Sequence, residues 1–153
     1  MLHIRESRPE EFDELWRIDQ RCFTFGIAYS RQELAQYMGI CGAFTLVAEA
    51  VEKDSAGIAG FVLATPDRRG TGHIITIDVL AEARHRGLGS QLLEAAEARL
   101  GQHGCTRVLL EVAVDNAAAI AFYKRHRYAV LKTLPRYYLG TLDALLMGKV
   151  LAG

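Results

Sequence analysis

The sequence predicts an α/β chain in which a mixed sheet is covered by helices, and three observations point there. Of 153 residues, 50% are hydrophobic and 24% charged, the balance of a chain that buries a core rather than of a disordered or collagen-like one. Apolar runs of strand length follow one another between residues 43 and 80. After residue 87 such runs alternate with segments of helical spacing. Consecutive strands followed by strand–helix–strand units are the pattern of a mixed sheet with helices packed on it. The length reads as one domain spanning 1–153, burying roughly two-thirds of its unfolded surface without need of a disulfide or structural metal.

Element by element, Leu2–Glu6 reads as a first strand. Ser7-Arg8-Pro9-Glu10 reads as a capping box with proline in the first turn, opening a helix to about Cys22 whose apolar face is Phe12, Leu15, Trp16 and Phe23. Ser30-Arg31-Gln32-Glu33 is a second capping box, opening a short helix that buries Leu34, Tyr37 and Met38. Ala43–Val51 and Gly57–Thr65, either side of the polar Glu52–Ser55, read as an antiparallel pair. The turn Asp67–Gly72 leads to a third apolar run, Ile74–Leu80. Gly87–Leu100 carries Leu88, Leu92, Leu93, Ala96 and Leu100 at helical spacing and stops at Gly101. Val108–Val114 is a strand, Asn116–His126 a helix, and Tyr128–Leu134 and Ala144–Leu151 are the last strands. The expected order is β-α-α-β-β-β-α-β-α-β-β.

Charge and cysteine use exclude several classes. Eighteen basic and eighteen acidic side chains give a net charge of zero, which argues against nucleic acid as partner. Residues 1–54 hold 6 Lys/Arg against 10 Asp/Glu, and residues 55–153 hold 12 against 8. Such polarity suits an anion held by the second half and a cation near the first, although uneven scatter accounts for it equally well. No stretch approaches the ~18 apolar residues of a membrane span. The start, Met1-Leu2-His3-Ile4-Arg5-Glu6, lacks the apolar core of a secretory signal. Cys22, Cys41 and Cys105 are odd in number with no Cys-x-x-Cys, which fits reduced thiols in the cytoplasm. The five histidines, His3, His73, His85, His103 and His126, have no metal-ligand spacing, so no metal is expected.

The most informative stretch runs from Ile77 to Ser90. A strand ends, a turn with Arg84, His85, Arg86, Gly87 and Gly89 follows, and a helix begins. Free amides at a helix start form an anion site, and glycine lets the anion approach the backbone. The stretch is not a P-loop, because no Gly-Lys-Ser/Thr follows. As a dinucleotide fingerprint it is poor: Leu92 stands where the third glycine should fall. A plain helix cap is the competing reading of the two glycines, and the arginines favour a phosphate ligand.

Arg84-x-x-Gly87-x-Gly89 after an apolar strand resembles the acetyl-CoA motif of the GNAT acetyltransferase superfamily. The run Leu110-Glu111-Val112-Ala113-Val114-Asp115-Asn116, continuing through Ala117 to Phe122-Tyr123, is similar to the second half of that domain in RimI-type N-terminal acetyltransferases. Arg136-Tyr137-Tyr138 followed by Asp143–Met147 resembles the C-terminal strand of the same group. The resemblance implies a mostly antiparallel sheet of about seven strands flanked by about four helices, and acetyl-CoA as co-substrate. It places the pyrophosphate beside Arg84 on the amides of His85, Arg86, Gly87, Leu88, Gly89 and Ser90. The pantetheine then runs along the main chain of Ile77, Asp78 and Val79 like an added strand. Asn116 is implied to hydrogen-bond the cofactor, and Tyr123 to border it.

Acetyl transfer to an amine needs a base for the ammonium, donors for the oxyanion and an acid for the departing thiolate. Glu111 lies in a strand apolar on both sides, and on its own would read first as the partner of a buried arginine or hydroxyl. The resemblance makes Glu111 the base and Tyr123 the acid. Asp78, also in an apolar strand, reads first as a hydrogen-bonded structural aspartate, with a competing or assisting base as the alternative. Phe25, Tyr29, Tyr137 and Tyr138 occupy the segments that the resemblance assigns to the acceptor groove. The chain departs from the group's pattern with His126-Arg127-Tyr128 for a Leu-Gly-Phe-like turn, Ala81 for proline and Tyr29-Ser30 for Trp-Ser. The expectation is direct transfer from acetyl-CoA to an amine, foremost the α-amino group of a protein or peptide. A small-molecule amine or a lysine side chain is the alternative within the class, and a non-catalytic CoA-binding regulator the alternative outside it. The chain is expected as a monomer or homodimer.

Overall fold

The computed structural model describes residues 2–24, 27–52 and 55–151. Its elements are β1 (Leu2–Glu6), α1 (Phe12–Cys22), α2 (Arg31–Met38), β2 (Phe44–Glu52), β3 (Ser55–Pro66), β4 (Thr71–Val79), α3 (Leu88–Gln102), β5 (Arg107–Ala113), α4 (Ala117–Arg125), β6 (Ala129–Tyr138) and β7 (Leu142–Val150). Short 3-10 turns precede α1 and α3. The strands form one sheet in the order β1-β2-β3-β4-β5-β7-β6. Neighbours run antiparallel except β4 and β5, which are parallel. The mixed, mostly antiparallel architecture is the expected one. No helix among the described residues is long and apolar enough to cross a membrane.

Two cores sandwich the sheet. On one face α3 lays Leu88, Leu92, Leu93, Ala96 and Leu100 on Val62, Ile74, Val108 and Met147. The four leucines are at most 1% exposed, and each contributes about 2 kcal/mol by leaving water. On the other face Leu15 and Ile18 of α1 and Leu34 of α2 cover Val47, Phe61 and Leu63. The Ser30–Glu33 capping box forms as expected: Ser30 Oγ accepts from Glu33 N at 3.1 Å, and Glu33 Oε1 from Ser30 N at 3.0 Å.

Some local expectations shift. The first helical entry is capped one residue later, with Glu11 accepting from Arg8 N at 2.7 Å, because Glu11 also takes Arg5 and so ties the turn to β1. Helix α3 runs through Gly101 to Gln102, since the left-handed residue that ends it is Gly104 (φ 87°). Strand β4 begins at Thr71, three residues early, drawn out by its pairing with Arg107. The buried face of α1 holds Ile18 and, against its polarity, Asp19, while Phe23 falls beyond the helix end.

The feature that positions the site is the brevity of the β4–β5 pairing. Only Thr71↔Arg107, Gly72↔Val108 and His73↔Leu109 are in register, after which the strands separate. A bulge at Ile75, where the register with β3 passes from Leu63↔Thr76 to Ala64↔Ile74, lies just past that fork. The edge of β4 from Ile74 onward therefore faces open space rather than a strand.

Candidate active site

A cleft of about 750 Å³ fills the fork. Its walls are Ile74–Ile77 and Val79 of β4, Leu110–Ala113 of β5, the turn leading into α3, and residues of α4. Tyr29 and Tyr138 border it.

The turn end is built from main chain. The first internal bond of α3 is Gln91 N to Gly87 O at 3.1 Å, so the amides of Leu88, Gly89 and Ser90 have no partner within the helix. These amides and the positive end of the helix dipole suit a phosphate. Gly87 has φ 77°, a left-handed conformation that side chains resist, and nothing lies within 4 Å of where its Cβ would project. At Gly89 a Cβ would touch the Phe122 ring at 3.4 Å, so α4 packs directly against the turn. Arg84 Nε donates to Val79 O at 3.1 Å, folding that arginine back over the end of β4. Asn116 caps α4 by accepting from Ala119 N at 3.2 Å, which engages its oxygen and leaves its NH2 free for a ligand. These donors fit a polyanionic cofactor such as CoA.

In the middle of the cleft stand two groups able to move protons. Glu111 of β5 has a side chain 16% exposed, and its Oε1 lies 2.7 Å from His73 Nε2 of β4. Tyr123 of α4 packs edge-on against Phe122 and Tyr128, with ring centroids 5.2 and 5.8 Å away. Burial, with Asp78 adding to it, raises the Tyr123 phenol above its ordinary pKa, so it keeps its proton at neutral pH. Burial and the neighbouring Glu111 push Tyr137 up to about 12.

The far end is built from side chains. Tyr29 is held by three residues on one face of α1: Asp19 Oδ2 accepts its N–H at 2.7 Å, and Trp16 Nε1 and Gln20 Nε2 donate to its carbonyl at 3.1 and 2.6 Å. Its hydroxyl donates to Ile75 O at the bulge, 3.3 Å away. A side pocket of about 210 Å³ opens beside it, lined by Tyr29, Tyr37, Tyr137, Tyr138 and Glu33.

A model of the acetyltransferase (GNAT) family matches residues 12–128. The chain belongs to the GNAT acetyltransferase family. It is 40% identical over 93 residues to an uncharacterized N-acetyltransferase of Methanocaldococcus jannaschii, a stretch covering 60% of this chain and 59% of that one. It is 35% identical over 98 residues to N-alpha-acetyltransferase 30 of Schizosaccharomyces pombe, covering 61% and 65%. The match thus spans less than two thirds of the length of either relative. The crystal structure of the ribosomal-protein-S18-alanine N-acetyltransferase from Escherichia coli superposes with a TM-score of 0.84 at 25% identity, over 100% of this chain and 97% of that one.

Within this GNAT fold the cleft gathers Ile77, Val79, Arg84, His85, Gly87, Leu88, Gly89, Ser90, Glu111, Asn116 and Tyr123 from the residues singled out in the sequence. Arg86 is exposed and does not line it, and Tyr137 borders only the side pocket. Phe25 lies outside the described residues. Asp78 is the structural aspartate rather than the competing base, and its side chain does not line the cleft. Strand alternation turns it to the α1 face, where it is 0% exposed and accepts from Thr76 Oγ1 at 2.5 Å. Burial and the adjoining Asp19 carboxyl raise Asp78 well above the usual carboxylate range. Only its main chain can reach the cleft. Cys22 also lines the GNAT cleft, but burial and Asp78 push its thiol up to about 11, so little thiolate exists near pH 7. Sequence reasoning missed His73, 38 residues before its partner Glu111. It also missed the grip of Trp16, Asp19 and Gln20 on Tyr29, which helical spacing could have revealed had the tyrosine's place been known.

Proposed function

We propose that this GNAT chain transfers an acetyl group from acetyl-CoA directly to a primary amine, and that the amine is the N-terminal α-amino group of a protein or peptide. The observation that carries this reading is the presence of Glu111 and Tyr123 in one cleft that runs between unpaired helix amides and a tyrosine wall. Bound acetyl-CoA would supply the thioester that the amine attacks. The amides of Leu88, Gly89 and Ser90 take its pyrophosphate, and the Asn116 NH2 binds it at the start of α4. An acceptor arrives as an ammonium and must lose a proton before its nitrogen can attack. Glu111 takes that proton, its carboxylate steadied by donation from His73. Tyr123 gives its proton to the departing sulfur, and the nitrogen sheds a second proton on becoming an amide, which restores the phenol. One proton leaves through Glu111 to solvent, balancing the step.

The acceptor assignment draws on the side pocket, whose aromatic faces and Glu33 suit a cationic, flexible chain end. The names of the relatives point the same way. Mass spectrometry tests it: peptides with free or blocked N-termini, each holding an internal lysine, are incubated with acetyl-CoA and the protein. Acetyl on the α-amine alone is expected. Acetyl on lysine, or only on small amines, contradicts the acceptor assignment, and cofactor binding without transfer to any amine favours a CoA-binding regulator.

A further inference from the structure

Behind the turn that opens α3 lies a polar contact with no role in the chemistry described so far. Ser90 Oγ is 2.8 Å from His126 Nε2. Ser90 lines the cleft as the third residue of α3. His126 caps the end of α4, its main-chain N–H on the carbonyls of Phe122 and Tyr123 at 3.3 and 3.0 Å. Its ring lies 4.8 Å from that of Phe122, the same ring a Cβ on Gly89 would touch. The residue is thus held by its backbone at the helix end and its ring by a tilted contact with Phe122, with Nε2 turned to Ser90.

A hydroxyl has a single proton to give. If Ser90 gives it to a bare Nε2, only oxygen lone pairs face the cradle and an anion there is repelled. If Nε2 carries the proton, Ser90 accepts from the ring and its own O–H turns outward, one more donor beside the amides of Leu88, Gly89 and Ser90. Both arrangements satisfy the 2.8 Å contact, and a bound phosphate selects the second. This polar support stands where the group the chain resembles has an apolar Leu-Gly-Phe-like turn.

We propose that His126 is a positioning residue for the acetyl-CoA pyrophosphate: it donates from Nε2 to Ser90 and so aims the Ser90 hydroxyl at the phosphate. The proposal rests on the reading of the α3 turn as the pyrophosphate seat. The test is calorimetric titration with acetyl-CoA, with steady-state kinetics alongside, on the full chain and on His126→Leu, His126→Gln, Ser90→Ala and the Leu/Ala double variant. His126→Leu and Ser90→Ala should each weaken acetyl-CoA by about tenfold, the worth of a hydrogen bond to a charged group. The double variant should be no weaker than Ser90→Ala alone, because one acts through the other. His126→Gln, whose amide also donates, should stay within about threefold of the parent. In His126→Leu the loss should fall on the KM for acetyl-CoA rather than on kcat at saturating acetyl-CoA, the sign of lost ground-state binding. Acetylpantetheine, which has no pyrophosphate, should be used equally well by the parent and by His126→Leu. Unchanged acetyl-CoA affinity in His126→Leu, penalties that multiply in the double variant, or an equal loss on acetylpantetheine would each overturn the proposal. A parent protein that does not bind acetyl-CoA at all would instead overturn the proposed function, and this inference with it.

Discussion

The two ends of the cleft are made of different material. The α3 end is main chain: three orphan amides and a left-handed glycine within a few residues of one another, with α4 packed against them. The tyrosine end is side chain, with Tyr29 held from α1 and Tyr137 and Tyr138 contributed by β6. A site of amides is set by local geometry and is indifferent to most substitutions elsewhere. A wall of side chains depends on anchors that never touch a ligand, so it can be damaged, or retuned, from a distance.

Substitutions can break this comparison or sharpen it. Between the ends, Glu111→Gln should lower kcat by about 10²–10⁴-fold while acetyl-CoA binds as before, measured by kinetics beside calorimetry. Weakened cofactor binding instead would assign Glu111 to the cradle. Tyr123→Phe should slow turnover by about ten- to a hundredfold with little change in acetyl-CoA affinity. An unchanged rate would mean that another group protonates the sulfur. Asp19→Ala separates the two ends most cleanly. It strips Tyr29 of its N–H acceptor and leaves Asp78 without its neighbour, which should cost about 2 kcal/mol of stability by chemical denaturation. The KM for the acceptor should rise, whereas acetyl-CoA affinity should not move.

The buried acid pair gives a pH test with a definite sign. Asp78 is raised in the folded protein, so the folded state holds a proton that the unfolded chain releases at lower pH. Its contribution is full below the unfolded carboxylate range and is lost as pH rises toward the folded value. Asp78→Asn keeps a donor toward Asp19 without that liability. Its melting temperature should rise steadily relative to the parent's as the pH is taken from 5 to 9. A constant offset across that range would mean the pair does not share a proton. The smallest expected effect is at Arg127, a non-glycine residue at φ 71°. Arg127→Gly should stabilise the fold by about 0.5 kcal/mol, the relief of strain less the entropy of a freer unfolded chain.

Legibility in the sequence follows the same division. The α3 turn, the second capping box and the succession of elements along the chain were readable because each is a local pattern. Glycine placement, Ser30 with Glu33, and runs of apolar residues carry their meaning within a few positions. His73 was not readable as the partner of Glu111, because their meeting depends on a parallel register only three residues long. Asp19 lies outside the apolar face read for the first helix, and only the fold brings it to Asp78 and Tyr29. Asp78 read as a cleft residue from its strand, yet alternation about the Ile75 bulge decides which face it takes. Tyr128 was a departure without a purpose until its hydroxyl was found on Glu97 at 2.7 Å, where Lys149 also binds.

Direct passage of the acetyl group between the two ends is the central claim, and the initial-velocity pattern tests it most directly. Acetyl-CoA and a peptide with a free N-terminus are both varied. Lines that intersect, as a complex holding both substrates requires, are predicted. Parallel lines would mean that the acetyl group first rests on the protein, and would contradict direct transfer and the roles given to Glu111 and Tyr123.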